Sequence, residues 1–189
     1  SVIFTDLIQG FILIFAGLLL FSLGLNFLVE NTSYSSGLKA LWENLSPLEK
    51  LPLANFNSPP DFNFVGIFWQ DGIAGSIGFL FLNQGLIMRF MAARSVNEGR
   101  KAAAFNVLVI LPISAIVVSN AGWIGKAITN TVPGALPLDL APNDVFVSVA
   151  NLITSPGVFG FIIAALCAAL MSTSDTLVNA SSSVIINDI

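Results

Sequence analysis

Oxygen-bearing side chains recur through the segment AALMSTSDTLVNASSSVIINDI, residues 168–189, without interrupting a helical apolar pattern. A helix turns about 100° per residue, which places Ser172, Asp175, Thr176, Asn179 and Ser183 in one stripe roughly 100° wide. Ala169 and Thr173 border the stripe, and Leu170, Leu177, Val178, Val184 and Ile185 hold the opposite face. An unpaired polar group costs several kcal/mol in hydrocarbon, so a wet face at membrane depth needs a partner. Ser and Thr can bond to carbonyls one turn back or join neighbouring helices. Five oxygen-bearing side chains in register, one of them a carboxylate, point further, to a hard alkali cation that takes neutral oxygens, close backbone approach and little bulk.

Asp6 raises the same question near the start of the chain. A carboxylate there can reach the membrane interface, or it can share an ion path with Asp175, which lies at matching depth in a separate apolar run. Asn83 and Gln84 sit about midway along a glycine-rich run, where their amides and Gly85 make a weak point in the helical ladder. They can serve as contacts between helices or to a substrate. Two carboxylates in separate spans also define an intramembrane aspartyl protease, but the Gly-Asp setting expected around such a residue is missing at both Asp6 and Asp175. The chain has no His, which excludes a Ser-His hydrolase within it. Cys167 stands alone in an apolar run, as a small core residue.

The elements that carry these groups belong in a bilayer. Hydrophobic residues make up 55% of the 189 and charged residues 10%, with a mean hydropathy of +0.86, far from the composition of a soluble domain. Four runs are long enough to cross a hydrocarbon layer about 30 Å thick, at about 2–28, 64–91, 102–121 and 158–186. Pro112 should kink the third. Residues 30–63, rich in Asn, Ser and Pro, read as an exposed loop with a short helix near 37–44, and 144–153 as a short surface helix. Arg89, Arg94, Arg100 and Lys101 crowd the link between the second and third runs, which places that link (92–101) and both chain ends in the cytoplasm and the loop outside. The net charge of -4 and seven basic residues that form no recognisable binding face give no sign of a nucleic-acid partner. The opening SVIFTDLIQGF, without initiator Met or basic flank, does not read as a signal peptide, and the chain reads as a portion of a longer one.

Three separated motifs, FTDLIQGF (4–11), NQGLIMRFMAARSVNEGRKA (83–102) and the segment 168–189, resemble the sodium/solute symporters, which include sodium-sugar, sodium-proline and sodium-monocarboxylate carriers. The resemblance covers essentially the whole chain. It implies an all-α, polytopic membrane protein in which the four runs are core helices five to eight of a LeuT-like pair of inverted five-helix repeats. It implies Na+ as coupling ion, a small organic solute as cargo, the lipid bilayer of a plasma or bacterial inner membrane as surroundings, and dependence on the rest of the symporter chain.

Carried onto this sequence, the resemblance assigns the Ala169 carbonyl and the Ser172 and Thr173 hydroxyls to a principal sodium site, completed by a first core helix that the chain does not contain. Asp6, Asp175 and Thr176 fall at a second sodium site or release route. Asn83, Gln84, Phe79 and Ser76 fall on the substrate-facing sixth core helix. Phe79 stands where sugar carriers usually have Tyr, and 102–118 contains no sugar-contacting Lys, so a sugar cargo is disfavoured. A sensor or scaffold on the same fold, without transport, is the competing reading.

Overall fold

The computed structural model describes residues 2–47, 50, 64–75, 77–78, 87, 90–137 and 139–188. Among them the secondary structure is helical and no strand occurs. Helix α1 is Val2–Glu30, α2 Gly37–Glu43 and α3 Phe64–Ile67, the last continuing as a π-helix over Phe68–Gly75. Then come α4 (Val96–Phe105), α5 (Leu111–Thr131), α6 (Val145–Ile153) and α7 (Pro156–Asp188).

Among the described residues three helices are long and apolar enough to cross a membrane: Phe4–Glu30, Val96–Thr131 and Pro156–Ile186. Four were expected; in the remaining one, 64–91, residues 76, 79–86 and 88–89 lie outside the described residues. The expected third span, 102–121, is much longer, 36 residues of continuous helix. A membrane crossing needs about 20 residues. Ser95 explains the early start: its hydroxyl accepts from the Glu98 backbone N–H at 3.2 Å, while Lys101 pairs with Glu98 at 3.0 Å. Pro112 does not stop this helix. A π-turn at Asn106–Ile110 sits where the ring would crowd the preceding turn, because wider turns accommodate the missing N–H and the ring.

The chain folds as two compact units, residues 1–46 with 109–173, and 47–108 with 174–189. In the first unit α1 packs chiefly on α5. Small residues make this possible: a Cβ on Gly17 would overlap Val117 Cγ1 and stand 3.2 Å from the Val117 carbonyl, and one on Gly24 would overlap the Ile124 side chain. Close backbone approach of this kind substitutes for the hydrophobic driving force that lipid removes. Asn120, 1% exposed, sits on the same seam and donates its amide to the carbonyls of Gly17 (2.9 Å) and Val117 (3.0 Å). At one end Leu28, Ala40, Leu41, Ile124, Ile128 and Val149 form a core, into which α2 folds back. Asn130 ties that end by donating to the Asn44 carbonyl at 2.8 Å.

Helix α6 coincides with the short helix expected at 144–153 and buries one of its faces while Val147 and Leu152 on the other are exposed. Val149 and Ala150 are fully buried, and a Cβ on Gly125 of α5 would meet Val149 Cγ2 at 2.8 Å, so this amphipathic helix closes the end of the unit. The faces turned away from these cores are apolar: Phe4, Phe11 and Phe15 of α1 are 61–67% exposed, and Leu170 of α7 is 69% exposed. Exposed apolar surface on this scale suits lipid or further helices, not water.

Candidate functional site

Ser172 of the α7 stripe and the carboxylate of α1 meet in the first unit. The Ser172 hydroxyl donates to Asp6 Oδ1 at 2.5 Å, both residues being half-buried. This bond joins residues 166 positions apart, one expected in the principal cation site and the other in the second. Its effect on the chemistry is specific. With the hydroxyl proton turned to Asp6, the serine oxygen directs its lone pairs elsewhere, and lone pairs are what a cation takes.

Thr173 follows the same rule through a different partner. Its hydroxyl donates to the Ala169 carbonyl at 3.2 Å, the ordinary bond one turn back. The two expected ligands therefore touch each other, and the exposed threonine oxygen keeps its acceptor lone pairs. Ser172 and Thr173 are about 100° apart on the helix and point to different neighbours. Ser172 turns toward α1, while Thr173 faces outward. Ser183 bonds back to Asn179 at 2.9 Å, so simple helix back-bonding accounts for that part of the stripe.

Asp175 and Thr176 are half-buried and lie one turn beyond Ser172 on α7. They belong to the second compact unit. Asn83, Gln84, Phe79 and Ser76, the expected substrate residues, lie outside the described residues.

Two polar groups in the first unit carry more than the sequence reading assigned them. Asn120 clamps α1 to α5, and its Oδ1 has no hydrogen-bond partner among the described residues. Gln9, one helical turn beyond Asp6, has a terminal oxygen that is buried and also without a partner among the described residues. In sequence each is an isolated amide in an apolar helix, which reads as ordinary bonding between helices. The first unit also holds an apolar cavity of about 110 Å³, bordered by Leu13 and Gly17 of α1, Val117 of α5, Phe146 of α6, and Ile162 and Leu166 of α7.

Long apolar helices, two of them joined by a hydroxyl–carboxylate bond, define an all-helical, multi-pass membrane protein. The family model "Sodium:solute symporter family" matches residues 1–189, and the chain belongs to that family, whose members are transporters and not enzymes. This removes the aspartyl-protease reading of Asp6 and Asp175. A sodium/glucose cotransporter from Vibrio parahaemolyticus is 24% identical over 200 residues, an alignment that takes in 100% of this chain and 36% of the relative. The chain thus spans about a third of that protein's length. No solved structure matches it.

Proposed function

We propose that this chain forms the cation-binding part of a sodium-coupled carrier that moves a small organic solute by alternating access. The Ser172–Asp6 bond between α1 and α7 carries the reading. It brings together a hydroxyl and a carboxylate from helices that must separate for an ion to pass. Sodium entering from outside is held by the Ala169 carbonyl and the Ser172 and Thr173 oxygens, with ligands from a first core helix in the remainder of the carrier. Neutral oxygens suit a transported ion, because a cation held by several charges could not leave. Release then follows Asp6, Asp175 and Thr176 toward the cytoplasm.

The driving force available is roughly 2.3 kcal/mol per charge per 100 mV of membrane potential, before any concentration gradient. Solute binds after sodium, against the sixth core helix at Ser76, Phe79, Asn83 and Gln84, and the bundle rocks inward. Orientation follows from the basic link, with Arg94, Arg100 and Lys101 in the cytoplasm of a plasma or bacterial inner membrane. The missing hydroxyl at Phe79 favours a cargo other than sugar.

Uptake by the full-length carrier in proteoliposomes tests this directly, across sugars, amino acids, carboxylates and vitamins, with sodium or choline outside. Ser172→Ala and Thr173→Ala should each raise the sodium needed for half-maximal uptake. Unchanged sodium dependence in both removes the site, and binding of solute with no uptake of any class favours a sensor or scaffold. Asp6→Asn should alter sodium coupling more than solute selectivity.

A further inference from the structure

Gln9 is the polar group in the α1–α7 region that the sodium sites leave unexplained. Its terminal oxygen is buried and has no hydrogen-bond partner among the described residues. Such an atom loses its water without replacement, and native structures seldom leave one in that state unless something binds there.

Two contacts fix what stands beside it. Asp6 meets Ser172, and Phe15 meets Phe161 edge to face with ring centroids 6.0 Å apart. From Asp6 to Phe15, α1 advances nine residues (15 − 6) while α7 falls back eleven (172 − 161), so the helices run antiparallel at nearly equal pace. Three residues on from Asp6, Gln9 is therefore level with Ala168 or Ala169. The stripe of α7 that packs inward selects between them: Ile162 and Ala165 are buried, Ser172 holds Asp6, and Ala169 continues the same three-and-four spacing. On α1, Asp6, Gln9, Leu13 and Ala16 follow one another on one face with that spacing. Gln9 thus stands opposite Ala169, whose methyl leaves room for its longer side chain, and one turn above the Asp6 carboxylate.

We infer that the Gln9 side-chain oxygen is a sodium ligand that bridges the Ala169–Ser172–Thr173 group and the Asp6 carboxylate, carrying the ion from the first to the second. This rests on the sodium-coupled reading above and adds to it a residue of α1. An amide oxygen is a hard, neutral ligand of the kind that alkali and alkaline-earth cations take from Asn and Gln. Placed between a neutral group and a carboxylate, it shortens the step the ion must make without its water. No covalent change is involved; the ion exchanges oxygens.

The test uses the purified full-length carrier and compares its thermal midpoint in sodium chloride with that in choline chloride of equal ionic strength. Gln9→Leu, and Gln9→Met as a second variant of similar length, remove the oxygen and keep the volume. Both should match or exceed the wild-type midpoint in choline, since an unsatisfied buried polar group has been removed. Both should need roughly tenfold more sodium for half of the sodium-induced rise, the effect of losing one net ligand contact. Gln9→Glu retains an oxygen and should retain the rise. If the wild type gains stability in sodium and the Leu and Met variants gain it at the same concentrations, the Gln9 assignment is overturned and the sodium reading stands. A lower midpoint in choline with an undiminished sodium response marks Gln9 as a packing residue and also overturns it. A wild type indifferent to sodium overturns both readings.

Discussion

Helix α1 has two seams within its unit, and they are built in opposite ways. Against α5 its backbone comes close, through Gly17 and Gly24, with Asn120 bonded across the joint. Against α7 such close backbone approach is absent among the described residues, and the connection is made by side chains: an aromatic edge contact, a hydroxyl–carboxylate bond, and an apolar cavity of about 110 Å³ between. The first seam gains its stability from dispersion over many atoms at optimal distance, which falls away steeply if the helices part. The second rests on one hydroxyl–carboxylate bond and one ring contact. Within a single helix, one side is closely packed and the other is joined by isolated side-chain contacts.

The strongest way to break this contrast is to wedge the tight seam. Gly17→Leu places a branched side chain where even a Cβ overlaps Val117, with the Val117 carbonyl behind it. Overpacking of this sort costs about 1–3 kcal/mol and more where backbone blocks relaxation. The full-length protein should lose its monodisperse peak on size-exclusion chromatography in detergent. A well-folded Gly17→Leu protein would mean that α1 and α5 are not held in contact.

Asn120→Ala should act on the same seam with a smaller effect. It deletes the bonds to Gly17 and Val117, although both acceptors keep their own helical partners. Hydrogen bonds between membrane helices contribute about 0.6 kcal/mol on average and up to about 1.7, so a midpoint lowered by a few degrees is expected. The sodium concentration for half-maximal uptake should be unchanged. A shifted sodium dependence with normal stability would move Asn120 from the fixed seam to the ion path.

The contrast was only partly legible in the chain. The oxygen stripe of α7 could be read from helical periodicity, because a fixed angle per residue settles which of Ser172, Asp175 and Thr176 share a face. Asp6 could be recognised as a carboxylate in the wrong solvent. Their pairing could not, since which face of α1 meets which face of α7 is decided by packing of helices far apart in sequence. Gln9 and Asn120 were hidden for a different reason: one amide in an apolar helix reads as ordinary glue between helices until its burial and partners are known. The helix that carries the third span reaches beyond 102–121, because a hydropathy reading stops where charge begins while the helix runs on from the Ser95 cap. The kink expected at Pro112 was answered by a π-turn, a local adjustment that residue types alone do not encode.

The smallest expected effect is on stability at the open seam, where it is the most informative. A double-mutant cycle with Asp6→Asn, Ser172→Ala and the two combined isolates the coupling between the two groups. Both residues are half-buried, and a hydroxyl–carboxylate bond joins them. Thermal stability of the full-length carrier in choline should therefore show a coupling of about 0.6 kcal/mol, the usual size for one bond between membrane helices. Sodium dependence should show a larger one, because Ser172→Ala removes an oxygen and Asp6→Asn removes the carboxylate charge from the proposed ion site as well as from each other. If coupling in stability equals or exceeds coupling in sodium response, the Ser172–Asp6 bond is a structural tie like the one at Asn120. If the sodium term dominates, the bond serves as a stand-in partner for two ligands between visits of the ion, and its weakness is what allows α1 and α7 to exchange it.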